Sequence, residues 1–109
     1  MSSTSRNNIQ VGAINLIVEL ELREGYGVLD VSTATVKTII IEKPDHTTLI
    51  SASASFMTDG TDGLIYYRTV ALDLNQVGVY EVQAYIEMPS FTGYSTPTDF
   101  EVFPNLPHV

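Results

Sequence analysis

The residues best suited to chemistry are few and scattered. The sequence has two histidines and no cysteine, which removes thiolate nucleophiles, disulfides and thiolate metal sites together. His46 falls in the turn-like run Lys43-Pro44-Asp45-His46-Thr47, and His108 is one residue from the last position. Serines are plentiful, yet none sits in a Gly-x-Ser-x-Gly elbow, so a hydrolytic triad would have to recruit one of these two imidazoles. Asp59 and Asp62 make the nearest approach to a metal loop, but the residues around them lack the spaced carboxylates and closing glutamate of a calcium loop. Glu19 and Glu21 share one side of an alternating stretch and have no partner carboxylate. No phosphate-cradling loop or zinc motif is present. The expectation is a protein without catalytic residues, metal ligands or a bound cofactor.

Contact chemistry is better represented. Ile17, Ile40, Val79 and Tyr85 fall on the parity opposite to the apolar face of their strands, while Phe91 and Tyr94 flank a turn. Large apolar and aromatic residues turned outward mark a surface that another chain covers. These six are therefore the candidate interface. A sugar-stacking patch built from Tyr26, Phe91 and Tyr94 is the alternative use of the same aromatics.

The composition narrows the partner. At 109 residues the chain fits one domain, and 44% hydrophobic with 17% charged residues is a globular balance. Thirteen acidic against five basic residues leave a formal charge of −8, which repels phosphate and so argues against nucleic acid and anionic membranes. The first residues lack the apolar core of a signal peptide, and no run is long enough to span a bilayer. Synthesis and folding in a cytoplasm is the expectation.

The elements that would carry these residues are strands. Leu72 to Ile86 is a corner feeding an alternating strand, with Tyr80, Val82, Ala84 and Ile86 toward the core. A tyrosine just beyond a glycine corner can return its hydroxyl to upstream backbone, so Leu74, Gly78 and Tyr80 are the expected structural corner. Ile9–Val11, Ile14–Leu22, Val36–Lys43, Leu49–Met57, Leu64–Val70, Val79–Met88 and Tyr94–Phe103 read as strands separated by turn residues. Two Asp-Gly steps in Thr58-Asp59-Gly60-Thr61-Asp62-Gly63 mark one of these turns. The fold class expected is all-β, an immunoglobulin-like antiparallel β-sandwich of about seven strands, with a barrel as the alternative. It would span residues 9–104, between a flexible arm at 1–8 and a tail at 105–109.

Several of these runs together resemble the immunoglobulin-like domains of tailed-phage virion proteins, such as the N-terminal domain of baseplate upper proteins. They are Val11-Gly12, Lys43-Pro44-Asp45, Thr58 to Gly63, Gly78-Val79-Tyr80, Gln83-Ala84-Tyr85 and Phe100-Glu101-Val102. His46 stands where such hairpins commonly have glycine. The resemblance implies a non-enzymatic virion component that docks on capsid, connector, tail or baseplate subunits. Its partners would be other virion proteins and further copies of itself; host attachment through glycans is the second role it allows.

Overall fold

A computed structural model describes residues 9–25 and 27–105; the arm at 1–8, Tyr26 and residues 106–109, including His108, lie outside the described residues. The described chain is all-β and contains eleven strands. In order they are β1 (Ile9–Gln10), β2 (Ile17–Glu21), β3 (Arg23–Glu24), β4 (Gly27–Val28), β5 (Val36–Glu42), β6 (Leu49–Ser53), β7 (Ser55–Phe56), β8 (Leu64–Arg68), β9 (Gly78–Met88), β10 (Phe91–Tyr94) and β11 (Thr98–Phe103). The large sheet runs β1-β11-β9-β5-β6, with β10 also paired to β9, and the smaller sheet runs β2-β8-β7.

Three interruptions raise the strand number above the expected seven. The first is at Ala54. β6 pairs with β5 and β7 pairs with β8, so the chain leaves the large sheet and joins the small one at that residue. Ala54 N–H still bonds Lys37 O at 2.9 Å, and its buried methyl group allows the close crossing. The second lies in the last strand. Tyr94 opposes Tyr85 and Thr98 opposes Val82, so three residues on one side face two on the other, which is a β-bulge. Ser95 holds the bulge by bonding Ala84 through both N–H and Oγ, and Pro97 could not have donated to the ladder. The third is a small hairpin, β3-β4, added at the Glu24 to Gly27 turn. The expected strand from Ile14 also starts late, because Asn15 takes φ 63° and Ile14 is exposed.

Pairing is not purely antiparallel either: β1 runs parallel to β11. The two sheets enclose one core. Alternation in β9 buries Tyr80, Val82, Ala84, Ile86 and Met88, while β2 and β8 contribute Val18, Leu20 and Ile65. Val31, at the centre of an irregular connection, is fully buried and bonds Gly60 O through its N–H. Asp30 fixes that connection by accepting from Ser32 N–H, a local bond that short polar side chains favour.

Candidate functional site

At one end of the fold the corner is a closed polar network. Tyr80 is fully buried; its hydroxyl accepts from Gln76 N–H and donates to Gln76 O, both at 3.0 Å, and its ring stacks on Phe100 at 5.2 Å. Leu74 is buried and its carbonyl accepts from Gly12 N–H at 2.7 Å. Gly78 has φ 135°, and a Cβ there would lie 2.9 Å from Pro44 Cβ. Lys43, buried by the same hairpin, donates through Nζ to Leu72 O and Asn75 Oδ1 at 2.8 Å. Tyr67 donates to Asp73 Oδ2, which also accepts from Val70 N–H. Burial, reinforced by that carboxylate, pushes the Tyr67 phenol up to about 12. Every one of these groups bonds within the chain.

The acidic turns are likewise committed. Asp59 accepts from Thr61 N–H and Oγ1, and Asp62 accepts from Leu64 N–H and Thr58 Oγ1. Asp45 accepts from the N–H groups of Thr47 and Thr48 and from Gln76 Nε2. His46 takes φ 60°, the left-handed conformation that glycine adopts most easily, and its exposed ring lies 3.5 Å from Glu42. Among the described residues, no group of three or more His, Asp or Glu side chains converges to hold a metal ion.

The candidate interface residues divide between two surfaces. Ile40, Val79, Tyr85 and Tyr94 lie on the outer face of the large sheet, where the Tyr85 and Tyr94 rings pack at 5.0 Å. Ile40 adjoins Gln83 across the ladder, whereas Val79 lies six residues from Tyr85 along β9, roughly 20 Å away. Ile17 and Phe91 sit elsewhere, on an open side of the fold between β2 and the β10–β11 strand. Two crevices line this side. One of about 250 Å³ includes Ile9, Ile17, Glu19, Asp99 and Phe100 on its walls. The other, about 350 Å³, lies among Glu21, Leu22, Ile86, Phe91 and Thr98.

The outer face carries a feature that sequence reading missed. Register places Glu42 opposite Glu81 and Glu81 opposite Asp99, so three carboxylates form a row across β5, β9 and β11. Neighbours in such a row stand about 5 Å apart. Glu101, two residues from Asp99 along β11, lies beside it on the same face, and a 280 Å³ crevice opens beside it between Ile40, Leu49, Gln83 and Pro97. Among the described residues no lysine or arginine shares this face. Lys37 turns inward over the Phe56 ring, Lys43 is buried, Arg23 pairs with Glu21, and Arg68 belongs to the smaller sheet. Parity alone turned Glu81 outward; the row needed the cross-strand register.

No protein-family model matches the sequence, and no curated protein matches it. A solved structure that it resembles is the crystal structure of CopC from Methylosinus trichosporium OB3b, at TM-score 0.57 and 17% identity, over all of this chain and 96% of that one. At that identity the likeness carries the fold alone. It corrects the resemblance to phage domains, because a structure matched over the whole chain is CopC, not such a domain. The virion role, and the capsid, tail and baseplate vocabulary attached to it, fall with that resemblance. The physical reason is visible in the residues: Asp59, Asp62 and Asp45 serve turn geometry, which any β fold with such loops requires. The glycan alternative loses its platform as well, since Phe91 opens onto the crevices between β2 and β10 while Tyr94 stands on the outer sheet face. The chain is an all-β protein with a fold similar to that of CopC.

Proposed function

We infer that this chain is a non-enzymatic docking domain whose outer sheet face receives a cationic segment or surface of a partner protein. The observation that carries the reading is the Glu42–Glu81–Asp99 row, on a face without a described lysine or arginine. Like charges placed directly opposite one another across strands destabilise a sheet. A cationic partner would relieve that repulsion. The row spans about 10 Å, close to the screening length at roughly 0.1 M salt, so its charges act on a partner as one patch. Tyr85 and Tyr94, about 13 Å further along the same face, offer ring faces to lysine or arginine. A second copy applying the same face would bring the two acidic rows together, which disfavours self-association there. The commitment of Asp59, Asp62, Asp73 and Tyr67 to internal bonds supports the absence of catalysis. The Tyr80–Gln76 corner and the sheet crossing at Ala54 support an immunoglobulin-like variant of the sandwich.

Titration with a lysine-rich model peptide, followed by amide chemical shifts, tests the reading. Shifts should concentrate around Glu42, Glu81, Asp99 and Tyr85. Affinity at low salt should fall about tenfold in the Glu42→Gln/Glu81→Gln/Asp99→Asn protein. Shifts spread evenly over the surface, or an unchanged affinity, would mean that only net charge is sensed and would remove the site.

A further inference from the structure

β6 is the last strand of the large sheet and pairs with β5 alone. Lys43 N–H bonds Thr48 O and Ala54 N–H bonds Lys37 O, both at 2.9 Å, so Thr48 and Ala54 turn toward β5. Alternate residues of a strand direct N–H and C=O to the same neighbour, which puts Ile50 and Ala52 on that side as well. Leu49, Ser51 and Ser53 therefore point their N–H and C=O groups at the open margin. All three are exposed, and among the described residues nothing bonds to those groups. The other margins carry devices that discourage strand pairing. β2 has Glu19 and Glu21, the open part of β11 has Asp99 and Glu101, and β10 ends in the Ser95 bulge. From Thr47 to Phe56 there is no charged residue, no proline and no glycine.

We propose that β6 pairs antiparallel with β6 of a second copy, joining two large sheets edge to edge about a two-fold axis at Ser51. The hydrogen-bonding pattern is self-complementary. Ser51 meets Ser51 of the second copy and Leu49 meets its Ser53, each pair exchanging both N–H···O bonds. Such a contact uses one patch twice and closes at a dimer. Charge selects the margin: the chain carries a formal charge of −8, so two copies repel over most approaches, and the uncharged run at 47–56 offers the least opposition. Glu42, the member of the acidic row nearest the axis, stands three strand spacings and four residues from its counterpart, about 20 Å, which exceeds the screening length. On the outer face the exposed Leu49 side chain covers Ser53 of the second copy, and on the inner face half-buried Ile50 comes opposite its Ala52. The axis is perpendicular to the sheet, so both outer faces look the same way, and the contact holds whatever those faces bind.

Sedimentation and amide hydrogen exchange on the full chain test it together. Between about 10 μM and about 1 mM the monomer should convert to a dimer. Protection at Leu49, Ser51 and Ser53 should rise at least about tenfold over the same range, while Ile50 and Ala52, already bonded to β5, stay unchanged. Ser51→Lys and Ser51→Asp each set like charges opposite one another at the axis, so each protein alone should remain monomeric. An equal mixture of the two should regain the dimer, because lysine then faces aspartate. Unchanged exchange at Val82 and Ala84 confirms that both variants are folded. A monomer throughout the range would overturn the proposal, as would a dimer that survives either substitution or a mixture that stays monomeric. A dimer whose Leu49, Ser51 and Ser53 amides exchange as fast as in the monomer would overturn it too, since its interface would lie elsewhere. So would protection of those amides that ignores concentration, because another part of the same chain would then cover the margin.

Discussion

Replacing Tyr80 with phenylalanine isolates what the corner contributes. The ring stays fully buried and keeps its stacking on Phe100, so no cavity opens and only the hydroxyl is lost. That hydroxyl makes two bonds, both to Gln76, one as acceptor and one as donor. A net 0.5 to 1.5 kcal/mol for each places the loss at about 2 kcal/mol. The half-buried position of Gln76 lets water reach its freed backbone groups, which keeps the figure from rising further. For a domain of this size the loss lowers Tm by roughly 8 °C. Urea unfolding should show a lower midpoint at unchanged slope, because the same surface is exposed in both proteins. A loss below about 0.5 kcal/mol would refute the idea that the corner bonds stabilise the fold, and a changed slope would show that the denatured state had moved instead.

Two further outcomes follow from the same end of the molecule. Gly78→Val combines a φ of 135° with a Cβ 2.9 Å from Pro44, so it should cost at least about 2 kcal/mol in denaturant midpoint, whereas a near-neutral result would show that the hairpin yields. Hydrogen bonds from Thr47 N–H, Gln76, and Thr48 N–H and Oγ1 hold the Asp45 carboxyl well below the usual carboxylate range. Its pKa is depressed by folding, so its contribution is present above the unfolded value near 4 and is lost as pH falls below it. The Tm advantage over Asp45→Asn should therefore shrink below about pH 4; a gap constant down to pH 2.5 would contradict the assignment.

Local sequence made β9 legible, because an uninterrupted alternation from Val79 to Met88 allows one placement of its two faces. The Tyr80 corner was readable for the same reason: glycine, then tyrosine at the start of a strand, is a short-range pattern. The strand divisions were not. Nothing adjacent to Ala54 says that one apolar run will serve two sheets, and the extra residue at Ser95–Pro97 shows only when counted against β9. The acidic row was hidden for a related reason: Glu42, Glu81 and Asp99 are far apart in sequence and meet only through the pairing register. Four of the six interface candidates were chosen by outward parity and Phe91 and Tyr94 by their place beside a turn, and neither signal says which face of the fold a residue joins. That is why Ile17 and Phe91 parted from the other four.

The crossing at Ala54 gives the molecule a bound side and a free side. Segment 49–56 is bonded into both sheets at one margin, while β2 and β10–β11 meet across crevices at the opposite margin. The arrangement is that of a book, with the segment around Ala54 as its spine and the crevices as its fore-edge. Opening at the fore-edge separates side chains but breaks no ladder between the sheets, while parting the spine requires either β6 or β7 to be stripped from its neighbour. Thermal breathing is thereby given a direction, and the two sheets remain tied together while it occurs.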